Sequence, residues 1–350
     1  MSTARRASVA CAAQTLVGRH FCAQPGEAAV LTVDEASDPR LVEALSDSLA
    51  AAGAKPCVMR FPRLPLQGSL ADPHIPEPVA SAVLACDIWF DLSFPYLAGS
   101  GPFDRAMARK RARYLLLGDL DADGFARLYG GADFDALFDL QDCADSLLAS
   151  AQGQACRLTT PAGTDLVFRM GKPANAKHRQ ASQPGAQTVP GSAIFYPELE
   201  SVKGTIVLEA VFHDHYGPLE SPLTLTVDGR VREVRGDAQR ALMDRALRRA
   251  GGGEYGHVIH LTIGLHPAAR TTGHSFIEDI RVVGRNAIGL GLPWWLPGGG
   301  ENHPDGVVHD QSLWLAGEQV MERGRPVSAH PLARLLDAAR ASVHDAAHTP

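Results

Sequence analysis

The sequence predicts an α/β N-terminal domain with a parallel sheet and an α+β C-terminal domain. In the first part of the chain, short apolar runs alternate with segments that have helical spacing. From about residue 154 the pattern changes to strands and turns. A length of 350 residues is enough for two domains that each bury a core. We therefore expect an α/β domain over residues 1–153 and an α+β domain over residues 154–350.

The N-terminal prediction depends on four apolar runs and the helical segments between them. The predicted strands are residues 27–33, 56–61, 88–92 and 113–117, and the predicted helices are residues 39–52 and 78–86. Gly53 suits the C-terminal cap of the first of these helices. Alternating strands and helices indicate a parallel sheet with crossover helices. The glycine fingerprint of dinucleotide-binding folds does not follow the first strand, which argues against a dinucleotide site.

The C-terminal prediction is a series of strands with one long helix. A hairpin is expected over residues 157–170, around the turn that begins at Pro161. The polar stretch 171–191 is expected to be a surface loop. Further strands are expected at residues 204–211, 223–227 and 312–316 and around His260, and an amphipathic helix at residues 238–250.

Composition argues against several classes of protein. The net charge of −6 argues against a nucleic-acid partner, and the basic run 105–113 is interpreted as the solvated face of a helix. Six cysteines without a C-x-x-C pair indicate a reducing cytoplasm rather than a disulfide framework. No apolar run has the length of a membrane span or an export signal, so no membrane association is expected.

Two segments near the C-terminus carry the candidate metal ligands. His260 lies in an apolar run that is typical of a strand, and His303-Pro-Asp305 is an H-x-D triplet. On an extended segment, His303 and Asp305 point to the same face because side chains alternate with period two. Two imidazoles and one carboxylate are the ligand set of the mononuclear non-haem Fe(II) triad. A chain with 14 histidines can also contain an H-x-D triplet by chance, as loop residues.

The order of motifs in the C-terminal half resembles the 2,5-dihydroxypyridine 5,6-dioxygenases, which are related to the aminopeptidase T metallopeptidases. The motifs that match are Pro161-Ala-Gly-Thr-Asp165, the stretch from Tyr196 to Thr205, Tyr255-Gly256 with the run from His260 to Pro267, and His303-Pro-Asp305 with Ser312-Leu-Trp-Leu315. The resemblance covers roughly residues 155–320 by motif and the N-terminal part by pattern only.

The resemblance implies that His260, His303 and Asp305 hold Fe(II). A competing alignment places His309 in the H-x-D motif, but Gln311 would then stand in the place of the carboxylate. The resemblance also separates dioxygenases from two-metal peptidases, which need further carboxylate and imidazole ligands. The positions that match those ligands carry His257 or Ile259, and Ala287 or Ile288. Both departures favour a single metal ion.

The resemblance implies O2-dependent opening of a small hydroxylated N-heterocycle. We expect the protein to be cytoplasmic and to assemble as a homo-oligomer. The alternative is a metal-dependent hydrolase, either an aminopeptidase or an amide hydrolase, with one or two divalent ions.

Four more residues are candidates for contact with the ring or for catalysis. Tyr96 follows the third predicted strand, where α/β sheets place functional loops, and is expected to bind substrate and to act in catalysis. His309 is expected to assist catalysis by orienting a ligand. His215 is expected to contact a substrate hydroxyl, and Trp294 to stack on the ring. Each residue also has an ordinary interpretation as part of a loop or the core, and the His213/His215 pair could itself bind metal.

Overall fold

The computed structural model describes residues 3–130, 132–172, 180–213, 215–237, 239–296, 299 and 303–346, with backbone alone for 3–8 and 341–346. These residues form two compact units. Unit 1 contains Met1–Ala132 and Lys177–Pro190, and unit 2 contains Asp133–Ala176 and Gly191–Pro350.

Helices and strands alternate in the first part of the described chain, and strands predominate in the second. The helices are α1 Thr3–Gln14, α2 Pro39–Ala51, α3 Glu77–Ala85, α4 Gly101–Ala108, α5 Ala122–Gly130, α6 Phe134–Ser150, α7 Arg240–Ala250, α8 Phe276–Asp279 and α9 Pro331–Ala346, with a π-helical segment Thr15–His20 and 3₁₀ segments Gly68–His74 and Leu199–Ser201. The strands are β1 Ala28–Val33, β2 Lys55–Arg60, β3 Ile88–Asp91, β4 Arg113–Leu116, β5 Ala155–Thr159, β6 Asp165–Arg169, β7 Gly185–Gln187, β8 Ser192–Phe195, β9 Lys203–Phe212, β10 Tyr216–Asp228, β11 Arg230–Arg235, β12 His257–Gly264, β13 Asn286–Gly291, β14 Asp305–Val308, β15 Ser312–Leu315, β16 Glu318–Glu322 and β17 Arg325–Pro326.

Unit 1 is built on a parallel sheet with the strand order β2–β1–β3–β4–β7. Helix α2 shows why the local sequence folds in this way. The Asp38 side chain caps its first turn by accepting a hydrogen bond from the backbone N–H of Arg40. Leu41, Leu45 and Leu49 repeat at helical spacing and are fully buried. The predicted parallel sheet with crossover helices is confirmed.

The expectation that residues 171–191 form a surface loop was only partly correct. Residues 173–179 lie outside the described residues, but Gly185–Gln187 forms β7 and pairs in parallel with β4. This strand has three residues and lacks a β-branched or aromatic side chain. Its sequence therefore carries little strand signal, and the pairing with β4 determines its structure.

Unit 2 is built on an antiparallel sheet of twelve strands in the described part of the chain. The order is β17–β16–β15–β5–β6–β9–β14–β13–β12–β8, and the β10–β11 hairpin pairs with β9. The predicted hairpin around Pro161 is present as β5 and β6. The predicted helix at 238–250 is present as α7, although residue 238 lies outside the described residues. All eight residues of β12 are buried, so this strand is a rigid support for side chains that project from it.

The division between the units differs from the expected boundary at 153/154. Helix α6 belongs to unit 2, where it packs against α9 and β8. The buried side chain of Gln141 donates a hydrogen bond of 2.9 Å from its Nε2 to the backbone oxygen of Ser192. Residues 177–190 belong to unit 1 because β7 joins its sheet. The domain limits 1–153 and 154–350 stay a prediction.

Among the described residues, no helix has both the length and the apolar character that crossing a bilayer requires.

Candidate metal centre

Three side chains of unit 2 converge in a buried cluster, which we call the His260 cluster: His260, His303 and Asp305. The Nε2 atoms of the two histidines are 3.0 Å apart. Asp305 Oδ1 lies 3.4 Å from His260 Nε2, and its Oδ2 lies 3.9 Å from His303 Nε2. One ligand atom from each residue falls within 4.8 Å of the other two. Each of the three residues is at most 9% exposed, so the cluster is shielded from bulk water.

The strand register explains why these residues meet. Phe212 on β9 pairs with Asp305 on β14, Asp305 pairs with Gly289 on β13, and Gly289 pairs with His260 on β12. Paired residues of antiparallel strands project from the same face of the sheet. The four positions therefore form one row across four strands. The register shift between Val258 and His260 adds an irregularity to β12 next to the cluster, a location where bulges often re-aim a side chain.

An aromatic side chain from a neighbouring turn packs against His303. The Trp294 ring is stacked on the His303 imidazole, with centroids 6.0 Å apart and planes inclined by 20°. Trp294 is also 6.3 Å from the His260 ring. Trp295 and Tyr196 contact Trp294 edge-on at 4.8 and 5.9 Å. Trp294, which was expected to stack on the substrate ring, thus stacks on His303, a candidate metal ligand.

The donor atoms of the His260 cluster fit a divalent metal ion. Nitrogen ligands at neighbouring corners of an octahedron, each about 2.1 Å from the ion, are separated by about 3 Å. The observed separation of 3.0 Å between the two Nε2 atoms agrees with this value. Asp305 Oδ1 accepts no hydrogen bond from the described residues. Burial raises the pKa of Asp305 to about 8, because the ionised carboxylate is poorly solvated there, and a bound cation would offset that cost.

Aromatic residues also lie next to Asp305 on the side of β9, opposite to β13 and His260. Phe212, the neighbour of Asp305 in the row, stacks on Phe276 with centroids 4.5 Å apart and planes inclined by 11°. Tyr216 packs edge-on against Phe276 at 5.5 Å and donates a hydrogen bond of 2.8 Å to Asp279. Asp279 also accepts hydrogen bonds from the backbone N–H groups of residues 272 and 273. These bonds hold α8, which begins at Phe276, and the loop before it next to the row that contains Asp305.

His309 does not belong to the His260 cluster. It follows β14, four residues beyond Asp305, and four extended residues span about 13 Å. Its Nδ1 lies 3.2 Å from Glu209 Oε1, and its backbone N–H donates to Glu209 Oε2 at 2.9 Å. Partial burial opposes the charge on Glu209, but these hydrogen bonds outweigh it and hold the pKa of the carboxyl below its usual range.

His303 and His309 therefore have different surroundings in the structure. The structure groups His303 with His260 and Asp305, whereas His309 pairs with Glu209. Gln311, which the competing alignment would require as a ligand, is fully buried and bonded to Asn286. The predicted catalytic role of His309 stays a prediction.

Tyr96 belongs to unit 1, on the loop after β3, and is 7% exposed. Two carboxylates hold this loop in place. Asp91 accepts a hydrogen bond from the backbone N–H of Leu97, and Asp34 accepts one from that of Phe94. These two hydrogen bonds hold the loop at the carboxyl end of β3, and the predicted roles of Tyr96 stay predictions.

His215 lies in the turn between β9 and β10, three residues after Phe212, and is exposed. Its backbone oxygen accepts a hydrogen bond from the backbone N–H of His213. Neither histidine joins the His260 cluster. The predicted contact between His215 and the substrate stays a prediction.

Two residues beside the cluster were missed by sequence reasoning. Gly289 and Phe212 lie in the row of paired residues that contains His260 and Asp305. In the sequence they are 29 and 48 residues away from His260. Glycine inside an apolar strand run is a signal of close approach by another group, and it could have pointed to Gly289. Nothing in the local sequence around Phe212 indicates its place beside Asp305, which depends on pairing of distant strands.

A family model described as 2,5-dihydroxypyridine 5,6-dioxygenase (NicX) matches residues 18–289 of the chain. The match begins in unit 1, so the likeness extends over the part where sequence reasoning found only a pattern. It includes His260 and ends before His303 and Asp305, which the structure brings to His260. No match was found among the curated proteins.

Two solved structures share the fold over nearly the whole chain. The 2,5-dihydroxypyridine dioxygenase from Pseudomonas putida KT2440 has a TM-score of 0.74 and 18% identity, covering 94% of this chain and 99% of that one. AmpT from Thermus thermophilus has a TM-score of 0.62 and 14% identity, covering 92% of this chain and 99% of that one. The predicted resemblance to the dioxygenase family, with aminopeptidase T as its relative, is confirmed.

Proposed function

Because the chain belongs to the 2,5-dihydroxypyridine 5,6-dioxygenase family, we propose that it opens the ring of a small hydroxylated N-heterocycle with O2, using one Fe(II) ion. The ligands are His260, His303 and Asp305. The observation that carries this proposal is the convergence of their three donor atoms within 4.8 Å in a buried cluster. Two imidazoles and one carboxylate form the facial triad of non-haem Fe(II) oxygenases, which leaves positions open for substrate and O2.

When bound, Fe(II) supplies the one-electron chemistry with O2 that protein side chains lack. The protein itself provides charge, orientation and exclusion of water. Asp305 supplies the negative charge of the cluster, and the buried imidazoles bind through their Nε2 atoms in the neutral form. Burial keeps bulk water from competing for the open positions.

The surroundings of the cluster suit a planar ring. Trp294 lies on the side of the histidines, and Phe212 lies on the side of Asp305 with Phe276 stacked on it. We assign packing against the ring to Trp294, in addition to its contact with His303. In this proposal Tyr96 forms a hydrogen bond with the substrate and also moves a proton in the reaction. His215 forms a second hydrogen bond with the substrate. The cytoplasmic location and the homo-oligomeric assembly remain part of this proposal.

The hydrolase alternative is not favoured by the contacts of the site. A two-metal hydrolase needs bridging ligands for a second ion about 3.5–4 Å from the first. Within the described ranges, only the three residues of the His260 cluster form a group with metal-binding geometry. Of the two residues that could match one ligand position of the peptidase relatives, His257 has its Nδ1 2.9 Å from the backbone oxygen of Gly229, and Ile259 has an apolar side chain.

The test is O2 uptake by the anaerobically Fe(II)-loaded protein with 2,5-dihydroxypyridine and a panel of hydroxylated pyridines and phenols. We expect one O2 consumed for each ring lost, read from an oxygen electrode and from ring absorbance. Asp305→Asn serves as the matched control, since it keeps the shape of the side chain and removes its charge. Amide hydrolysis with Zn(II), Co(II) or Mn(II), together with no O2 uptake on any ring, would refute the proposal.

A further inference from the structure

Gly289 occupies the position in the row between His260 and Asp305. A Cβ atom built on Gly289 would lie within 3.0 Å of three atoms of the His260 imidazole, the nearest of which is Nε2, the candidate ligand atom. Real Cβ atoms essentially never have contacts this short. The His260 ring therefore lies over Gly289, in the space that a side chain at this position would fill.

The backbone conformation does not explain a glycine at this position. The φ angle of Gly289 is outside the left-handed region, whereas that of Gly291, two residues later, is +144°. Residue 289 thus has a strand conformation that any L-residue can adopt. What the position requires is space for another group, which is a recognised reason for glycine within a strand.

The imidazole has little freedom to move away from an added methyl group. His260 is on β12 and pairs with Gly289 on β13, and the next residue, Leu261, also pairs with β8 on the other side, so the strand at His260 is held by its neighbours. The ring also packs edge-on against the His303 imidazole, with centroids 5.1 Å apart and the two Nε2 atoms 3.0 Å apart. A displacement away from Gly289 would change the separation of the donor atoms.

We propose that Gly289 is a positioning residue for the metal centre: its missing side chain lets the His260 imidazole lie across β13 and aim Nε2 at the site shared with His303 and Asp305. This inference rests on the proposed metal site for its functional consequence. The steric relation between residue 289 and the His260 ring can be tested without any metal.

The first experiment measures metal affinity of Gly289→Ala by anaerobic Fe(II) titration, with Co(II) as a spectroscopic probe. Outer residues that orient metal ligands typically contribute about 10- to 100-fold to metal affinity, and we expect a loss of this size, with an altered Co(II) visible spectrum. Gly217→Ala is the matched control. Gly217 is also a strand glycine of unit 2 without left-handed φ, and a Cβ there meets nothing within 4 Å. Unchanged Fe(II) affinity and Co(II) spectrum in Gly289→Ala would overturn the proposal.

The second experiment is a double-mutant cycle on thermal unfolding of the metal-free protein. We expect Gly289→Ala to lower Tm, or to prevent folding, when His260 is present. In the His260→Ala background the space is vacant, and the same substitution should leave Tm within about one degree, because strand alanine is no less favourable than glycine. An equal Tm loss in both backgrounds would refute the steric relation. Absence of metal binding by the wild-type protein would instead refute the proposed function, with the Tm cycle unaffected.

Discussion

The sequence and the structure suggest different roles for Trp294, and a substitution that removes its indole distinguishes between the two roles. If Trp294 only contacts the substrate ring, Trp294→Ala raises KM and leaves metal affinity unchanged. If it orients His303, the same substitution weakens metal binding. The observed stacking, at 6.0 Å and 20°, supports the orienting role.

The size of the effect follows from the stacking energy. An aromatic pair contributes about 0.5–1.5 kcal/mol beyond the area that it buries. If that energy holds the imidazole in its binding orientation, its loss weakens metal affinity by about two- to twelvefold, since about 1.4 kcal/mol corresponds to a factor of ten. Trp294→Phe keeps an aromatic face and should retain affinity within about threefold, toward the lower end of that stacking energy.

The assay measures competition between the protein and a chromogenic chelator for Co(II). The same competition is then measured with Fe(II) under anaerobic conditions. Trp314→Ala is the control for loss of an indole elsewhere in unit 2, because Trp314 lies on β15 and contacts Arg157. Wild-type metal affinity in Trp294→Ala, with a raised KM for the ring, would show that the stacking on His303 has no part in metal binding.

Three further predictions address metal ligation, the N-terminal loop and pH. His303→Ala should abolish iron binding while His309→Ala retains it, because only His303 joins His260; the reverse iron contents by metal analysis would refute this assignment. Tyr96→Phe should slow turnover and leave iron content unchanged, and wild-type steady-state kinetics would remove the hydroxyl from the mechanism. Burial lowers the pKa of His20 from 6.5 to about 3, so the unfolded chain binds a proton that the folded chain does not, and stability is lost as pH falls from 6.5 toward 3. Between pH 7.5 and 5 the loss in the free energy of unfolding amounts to about 2 kcal/mol. His20→Asn can still form a hydrogen bond with the Tyr129 hydroxyl but has no imidazole to protonate. This variant should therefore not show the loss when urea unfolding is measured at the two pH values.

Local patterns in the sequence predicted much of the fold. The apolar runs that became β1, β3 and β4 and the leucine spacing of α2 follow from burial on one sheet. The hairpin of β5 and β6 was readable from its turn. The His260 strand and the H-x-D triplet were also readable, because alternation on extended chain places His303 and Asp305 on one side.

The remaining features depend on pairings between distant segments. The row that includes Phe212, Gly289 and His260 is set by the register of four strands, and a shift of one residue would turn a side chain to the other face. The membership of α6 in unit 2 depends on its packing against α9 and β8. Such relations leave no periodic signal in a single sequence.

The same row also bears on the number of metal ions. A second ion near the first would need additional ligands on neighbouring positions of these strands. In the described register, the neighbours of the cluster are Gly289, which has no side chain, and Phe212, which is occupied by stacking on Phe276. The next paired positions, Ala287 and Val307, are apolar. A methyl and an isopropyl group cannot ligate a cation, and they stabilise the sheet by burial instead. The face that holds the three candidate ligands thus provides aromatic and aliphatic surface next to them, which favours one ion and a planar ring over two ions and a hydrolytic water.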